Sequence, residues 1–407
     1  MSRLVQPAAV ILAVNIGSSS LKFSAHPVIS MAGERTALTS IFSGTVQGLE
    51  PGGKATVTWT NQGRLQTEAL HATERSSLLD VALQFLKRLI QEELSDVQLL
   101  AIAHRVVHGG ELFKKSVMVT PDIVESLRVF EPLAPLHQAH NLNGIVSFME
   151  AFPNLPHVAC FDTAFHADLP LVEKLFPLNQ AMVAQGIHRY GFHGLSYQYI
   201  SSRLARSTPA ASGKMLMAHL GNGASLCACI DGKSVATTMG FSTVGGLMMG
   251  TRSGDLDPGL ILHLVQHGMD AKELEQLLYR ESGLLGMSGV SADMRTLREH
   301  DSENARLAID LYTHRIIKES GALAAAMNGL DVLAFAGGIG ENDRELRRDV
   351  CAGLAFLGIQ IDLERNNTAS GRQLTPIHTV DSRAEVWIVP TGEGLIAAEE
   401  ALGLLSA

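Results

Sequence analysis

Two arginines stand beside glycines where a lone surface charge would be out of place. Arg105 closes an apolar run in His104-Arg105-Val-Val107-His108-Gly-Gly110, and Arg252 lies between glycines in Met249-Gly-Thr-Arg252-Ser-Gly254-Asp255. A guanidinium in such surroundings is half-buried, and its planar fork suits a carboxylate or a phosphoryl group. Two further stretches add a carboxylate and a histidine: Phe161-Asp162-Thr163-Ala-Phe165-His166 and Arg189-Tyr-Gly-Phe192-His193-Gly194. Asp162 at the end of a strand is either a cap for the next helix or a chemical group. Three glycine-rich loops have the make-up of phosphate cradles, since glycine lets backbone N–H groups approach closely. They are Asn15-Ile-Gly-Ser18-Ser-Ser20 with Lys22 beyond it, His219-Leu220-Gly221-Asn222-Gly223, and Gly337-Gly338-Ile339-Gly340-Glu341-Asn342. None has the P-loop spacing or the G-x-G-x-x-G spacing, so a different nucleotide-binding architecture is required. A last stretch, Pro390-Thr-Gly-Glu393, puts a carboxylate just after a strand.

The whole chain narrows what these groups could serve. Its 407 residues are 46% hydrophobic and 18% charged with a net charge of −9, which describes a globular protein of two or three domains. No basic run points to nucleic acid or an anionic membrane surface, and no segment has the ~20 uninterrupted apolar residues of a spanning helix. An anionic substrate must therefore be held by a few placed cations. The four cysteines (Cys160, Cys227, Cys229 and Cys351) lack zinc spacing and read as buried reduced thiols. The apolar run near the N-terminus leads straight into Asn15 and a Gly/Ser turn, so it reads as a core strand rather than a signal peptide. A cytoplasmic location is expected.

The elements that must position these residues alternate between strands and helices, which predicts an α/β fold. Hairpins are expected at Val10–Val14 with Leu21–Ser24 and at Met215–Leu220 with Ser225–Ile230, the latter continuing through an Asp231-Gly232 turn to 234–239. The loops of the two hairpins align with one inserted residue, which suggests a duplicated domain. Strands are also read at His157–Phe161, Val332–Ala336 and Val386–Val389, the middle one followed by a glycine loop and then a helix from Glu341. Ser77-Leu-Leu-Asp80 is a capping-box pattern opening a helix to Leu94. A long buried helix is expected from Asp301 to about Met327, and a meander of surface strands over residues 31–67.

Taken together, these stretches resemble the acetate kinase family, including its propionate and butyrate kinase relatives, in motif order from residue 10 to the C-terminus. The two signature stretches stand here as Val14-Asn-Ile-Gly-Ser-Ser-Ser-Leu-Lys-Phe23 and His188-Arg-Tyr-Gly-Phe-His-Gly194. The resemblance implies the sugar kinase–heat-shock ATPase–actin superfold: two duplicated ribonuclease-H-like domains with an active-site cleft between them. Residues 1–164 would form the first, with a C-terminal helix at 392–407 returning to it, and residues 165–391 the nucleotide-binding and dimerisation domain. Roles implied by the resemblance fall on Arg105, Asp162, His193 and Arg252 as the catalytic set. Val107, Leu136, Phe192 and Thr243, with Arg105, would bind the acid. ATP or ADP would be held by Ser18, Ser20, Lys22, His219, Leu220, Gly221, Asn222, Gly223, Asp293, Met294, Arg295 and the loop Gly337, Gly338, Ile339, Gly340, Glu341, Asn342. Asn15 and Glu393 would serve Mg²⁺, or Mn²⁺ in its place. The partners implied are a short-chain carboxylic acid, a nucleotide and a second copy of the chain.

The expected reaction is phosphorylation of acetate by direct in-line transfer. A propionate- or butyrate-preferring kinase is the alternative within the enzyme class, and a non-catalytic nucleotide sensor or scaffold the alternative outside it. An aspartyl-phosphate intermediate and pyrophosphate as phosphoryl donor are competing routes. The chain departs from the family pattern at Thr243, where Pro or Ala is common, and at Gly245, where an acidic residue is common. It departs again at Gly392, Gly394 and Gln138-Ala139. Thr243 would set a hydroxyl in a pocket the family lines with hydrocarbon, which suggests tolerance of a longer or more polar acid.

Overall fold

The structure, a computed structural model, describes residues 9–31, 34–37, 40–50, 52–61, 63–71, 77–95, 97–135 and 137–406. The chain divides into two compact units, Met1–Ala164 with Gly392–Ala407 (unit one) and Phe165–Thr391 (unit two). No helix of the described residues is long and apolar enough to cross a membrane.

Unit one is built on a nine-stranded sheet. Its strands are β1 (Ala9–Ile16), β2 (Ser20–Met31), β3 (Glu34–Ala37), β4 (Phe42–Gln47), β5 (Thr56–Asn61), β6 (Arg64–Ala69), β7 (Gln98–Val106), β8 (Val117–Met118) and β9 (His157–Phe161). They lie in the order β6-β5-β4-β2-β1-β7-β9-β8, with β3 paired to β2. Residues 10 to 14 of β1 are all buried, the pattern of a strand covered on both faces. Val10, Leu12 and Val14 pack with Leu83, Phe85, Leu86 and Leu89 of the helix Leu78–Glu93, which opens on the expected Ser77–Asp80 capping box. The alternate face meets the C-terminal helix Glu393–Ser406, which packs on β1, β2 and β7.

Unit two repeats the plan. A six-stranded sheet runs β12-β11-β10-β13-β15-β14, from β10 (Lys214–Leu220), β11 (Ala224–Ile230), β12 (Lys233–Thr237), β13 (Val332–Ala336), β14 (Thr375–Pro376) and β15 (Glu385–Ile388). In the run β12-β11-β10-β13-β15 the first two pairings are antiparallel and the last two parallel. The run β4-β2-β1-β7-β9 of unit one has the same sequence of pairings. The hairpin likeness in the sequence thus extends to five strands in each unit. Cys227 and Cys229 share one face, packed with Tyr197, Ile200 and Leu204; burial pushes the Cys229 thiol up to about 12, which keeps it protonated and inert.

Three expectations need adjustment. Gly337 is not in an open loop but begins a six-residue helix, Gly337–Asn342, which ends where the helix Arg344–Gly353 begins. The long helix, Glu303–Ala326, is buried along one stripe through Ala305, Ile309, Tyr312, Ile316 and Leu323 while Leu307 is exposed, so it is amphipathic rather than enclosed. The meander is present, yet Phe42, Val46 and Val57 are buried core residues rather than surface ones.

Candidate active site

In unit one the expected groups gather at the ends of β7 and β9. Arg105, on β7, donates from Nε to Asp162 Oδ1 at 2.9 Å and from Nη2 to Asp162 Oδ2 at 2.6 Å. The pair forms because Asp162 directly follows β9, whose register sets Arg105 opposite Cys160. Glu393 Oε2 stands 3.8 Å from Arg105 Nε. Burial alone would lower the affinity of Arg105 for its proton, but the charges of Asp162 and Glu393 outweigh it and raise it, so the guanidinium stays charged. Both Asp162 carboxylate oxygens are thus engaged by the Arg105 guanidinium.

The loop after β7 is pinned by side chains that the sequence reading did not assign. Gln138 accepts from His108 N–H at 3.1 Å and donates to His108 O at 2.9 Å. Asn141 accepts from Val107 N–H at 3.1 Å and donates to Ile16 O at 2.5 Å. Gly109 N–H donates to Thr163 Oγ1 at 3.1 Å. The departure at Gln138 therefore has a use, a paired brace on the loop carrying the buried Val107. Gly394 also has one: a Cβ there would come within 3.0 Å of His26 Nε2 and would collide with Ser24 Oγ. Leu136 lies outside the described residues. Asn15 sits on β1 opposite Lys22 of β2, and Ser18 and Ser20 are in and just after the exposed turn between them.

In unit two, His193, His219, Gly223 and Arg252 are brought together. His193 occupies the left-handed region at φ 60°, rare for a side-chain-bearing residue, and opens the helix Gly194–Ala205. Its Nδ1 lies 2.7 Å from Ser225 Oγ, which lies 2.5 Å from the Tyr197 hydroxyl. Burial holds the Tyr197 phenol far above its ordinary range, so it stays protonated. If that O–H donates to Ser225, the serine donates to Nδ1 and the proton of the neutral imidazole sits on Nε2. His219 stacks on His193 with centroids 4.3 Å apart and is held by Ser196 at 2.8 Å. Buried Arg252 donates from Nη1 to Thr243 O at 2.8 Å. A Cβ placed on Gly223 would be 3.3 Å from both Arg252 Nη2 and His193 Nε2, so with the proton on Nε2 two donors converge on one backbone edge that carries no side chain. Ser225 and Tyr197 were not singled out from the sequence.

The turn that holds His193 depends on another buried histidine. The His166 ring bridges Ser234 Oγ at 2.7 Å and Phe192 O at 3.0 Å. Burial, offset by the Phe192 hydrogen bond, lowers its pKa to about 4. The unfolded chain takes up this proton first, near pH 6.5, so stability is full above that pH and falls until about pH 4. The loss is expected to be on the order of 3 kcal/mol. His104 and His157 of unit one are lowered too and add in the same direction. Denaturant titrations from pH 7 to pH 4 should show a slope that is shallower in His166→Asn; an equal slope would remove His166 from the account.

The nucleotide candidates form a second group in unit two. β10 and β13 run parallel with His219 opposite Ala336, which sets the Gly221–Gly223 turn beside Gly337. Gly337 (φ 77°) has no room for a Cβ, which would lie 2.6 Å from Leu220 O. Glu341 Oε1 accepts from Gly337 N–H at 3.0 Å and from Thr391 N–H at 2.8 Å. Asn222 lies against Gly250, whose N–H donates to Asn222 O at 3.1 Å. Asp293 caps the helix Met294–Arg298 and pairs with the exposed Arg295 at 2.8 Å, while Met294 is buried. Arg298, not anticipated, ties this segment to Asp343 at 3.2 Å, just beyond Asn342.

Among the described residues no cluster of three His, Cys, Asp or Glu side chains could hold a metal. Asn15 and Glu393 offer hard oxygen donors, too few for a protein cage but suited to an ion held mainly by phosphate and water. Residues 10–399 match the sequence profile of the acetokinase family. The chain belongs to the acetokinase family. An acetate kinase of Rhodopseudomonas palustris is 45% identical over 394 residues, which is 96% of each chain. The crystal structure of Porphyromonas gingivalis acetate kinase superposes with a TM-score of 0.83 at 34% identity, covering 98% of this chain and 100% of that one. A propionate kinase from Francisella tularensis gives 0.84 at 34% identity, covering 96% and 98%. This acetokinase therefore has the actin-like ATPase fold, as its sequence suggested. Membership makes it a kinase with a carboxyl acceptor, working with ATP or ADP and a divalent cation.

Proposed function

We propose that this acetokinase transfers the γ-phosphoryl group of ATP to acetate, reversibly and in one in-line step, giving ADP and acetyl phosphate. The observation that carries the reading is the convergence of His193 Nε2 and Arg252 Nη2 at Gly223, two donors aimed where a phosphoryl group would lie. A carboxylic acid of pKa about 4 is already ionised at pH 7, so its oxygen attacks without a general base. A bond forms from that oxygen to γ-phosphorus as the bridging bond to ADP breaks, and ADP leaves with the electron pair. The protein must align two anions and stabilise charge on the group in flight. Arg105, held flat by Asp162, would take the carboxylate; Arg252 and the His193 Nε2–H would take the equatorial oxygens. The family resemblance assigns the acid's alkyl group to Val107 in unit one and to Phe192 and Thr243 in unit two, all three of them buried. Mg²⁺, or Mn²⁺ in its place, would be held by Asn15 and Glu393 with water and phosphate, and would neutralise charge on the phosphate oxygens.

A longer or more polar acid has one observation in its favour. Thr243 is buried, and its hydroxyl, beside the Tyr279 phenol, makes no hydrogen bond of regular geometry. We further propose a cytoplasmic enzyme, with the two units as the duplicated halves of the superfold and a homodimer formed through unit two. The helix Pro258–Gln266 supports the dimer: it has no buried residue, and Leu262 and Val265 are 63% and 51% exposed.

The test is acyl phosphate formation, trapped with hydroxylamine, from Mg-ATP with acetate, propionate, butyrate and glycolate. Product with acetate at the highest kcat/KM is the expected result, and no product with any acid would overturn the reading. Thr243→Pro should narrow the preference toward acetate, and an unchanged ranking would clear Thr243 of a part in it. Light scattering on the same preparation should give twice the chain mass, and a monomer would remove the dimer.

A further inference from the structure

Arg347 is the bulkiest of the fully buried side chains described, and its cationic head is placed where a hydrocarbon would cost less. Burial lowers its pKa to about 10, with the Asp343 charge opposing the shift, so the group is still protonated at pH 7. Its donors go to backbone and amide oxygens. Nη1 donates to Gly340 O at 2.9 Å and Glu341 O at 2.8 Å, Nε to Asn366 Oδ1 at 2.8 Å, and Nη2 to Asn366 O at 3.2 Å. Asn366 is itself fully buried and donates to Arg344 O at 2.9 Å, which ties the clamp back to the start of the helix that carries Arg347.

The segment being held explains why such a group is there. Gly337–Asn342 is a six-residue helix with three glycines. A helix that short does not sustain itself, and glycines lose more freedom on ordering than any other residue. It has few side chains to pack: Gly338 is exposed, and the Asn342 side chain turns back to Gly338 O at 2.9 Å. From its N-terminal end it is held by Glu341 on Gly337 N–H. From its C-terminal end the carbonyls of Gly340 and Glu341 are gripped by Arg347, and Gly371 packs so closely on Glu341 O that a Cβ there would come within 2.5 Å.

We propose that Arg347, braced by Asn366, is a positioning residue for nucleotide binding: it keeps Gly337–Asn342 ordered beside Leu220 and Gly221 before ligand arrives. This rests on the reading that Gly337–Asn342 contacts the nucleotide. A segment ordered in advance does not charge its ordering entropy to binding, so losing the clamp weakens nucleotide and leaves the acid alone.

The test compares the full-length protein with Arg347→Met, Arg347→Lys and Asn366→Ala, using ADP as the titrant in calorimetry. Arg347→Met is expected to weaken ADP about tenfold or more, and Asn366→Ala by about threefold, because each raises the cost of ordering the turn. Arg347→Lys should recover part of the loss, since an ammonium can reach one carbonyl but not span the fork. KM for the acid should stay within about twofold, as uniform loss is not expected from a nucleotide-side clamp. Amide hydrogen exchange should speed up at residues 337–343 and 366–371 and nowhere else. An unchanged ADP affinity in folded variants overturns the proposal. So does a parallel rise of both KM values with faster exchange throughout, which would mark Arg347 as a general stabiliser. If Arg347→Met does not fold, Asn366→Ala decides by the same readouts. Normal acyl phosphate formation with indifferent ADP binding would sink this inference alone. The expected ADP losses in a protein that phosphorylates no acid would sink the proposed reaction alone.

Discussion

Arg252→Ala is expected to lower kcat for acyl phosphate formation about a hundredfold or more, equivalent to about 2.7 kcal/mol of transition-state stabilisation. The guanidinium is buried on a glycine-flanked turn, where its Nη1 is fixed on Thr243 O while Nη2 lies toward Gly223 and His193. A donor anchored in advance costs no reorganisation when charge develops on the phosphoryl oxygens, which is why its removal should fall on kcat and kcat/KM alike rather than on KM. Arg252→Lys should do little better, since one ammonium cannot keep the Thr243 carbonyl and reach the phosphoryl oxygens in the same geometry. Steady-state kinetics on variants with unshifted melting curves would read this. Near-normal turnover in Arg252→Ala would remove Arg252 from the chemistry and leave the His193 donor as the sole basis for the phosphoryl side.

Much of this site was legible because its signals are local. Glycine turns after apolar strands, an arginine next to glycines and a capping box are each written within a few residues, and β1, β2, β10 and β11 formed the anticipated hairpins. Other features depend on residues far apart in sequence. Gln138 and Asn141 brace a loop some thirty residues away through side chain to backbone bonds, and no local pattern announces a pairing at that distance. Ser225 lies 32 residues from His193 and 28 from Tyr197, and only the fold sets its hydroxyl between the two. Arg347 did leave a trace. Leu346, Arg347, Val350 and Cys351 are the buried residues of the helix Arg344–Gly353, so the arginine occupies a place in the apolar stripe. A charge at a stripe position is a sign of a buried donor, and the eye passes over it because the neighbouring Arg348 is an ordinary exposed one.

Asp162→Ala is expected to be the most destabilising single change at the site. The carboxylate is buried, both of its oxygens bond to Arg105, and the Arg105 side chain is 19% exposed. Removing one partner of such a pair leaves a cation whose nearest remaining compensation is Glu393 at 3.8 Å. Breaking a buried pair in this way costs about 3–5 kcal/mol, and the partial exposure of Arg105 puts the figure toward the lower end. For a unit of this size that corresponds to a fall in Tm of roughly 6–12 °C, measurable by calorimetry. Asp162→Asn keeps the shape and one acceptor, so it should lose less stability while letting the guanidinium swing. Its KM for the acid should rise with appreciable turnover remaining. That residual turnover carries the mechanistic weight: a residue that only orients Arg105 can be replaced at a cost, whereas the nucleophile of an aspartyl-phosphate route cannot. Folded Asp162→Asn with no detectable turnover would favour the two-step route, and it would have to explain how a carboxylate with both oxygens already bonded becomes free to attack.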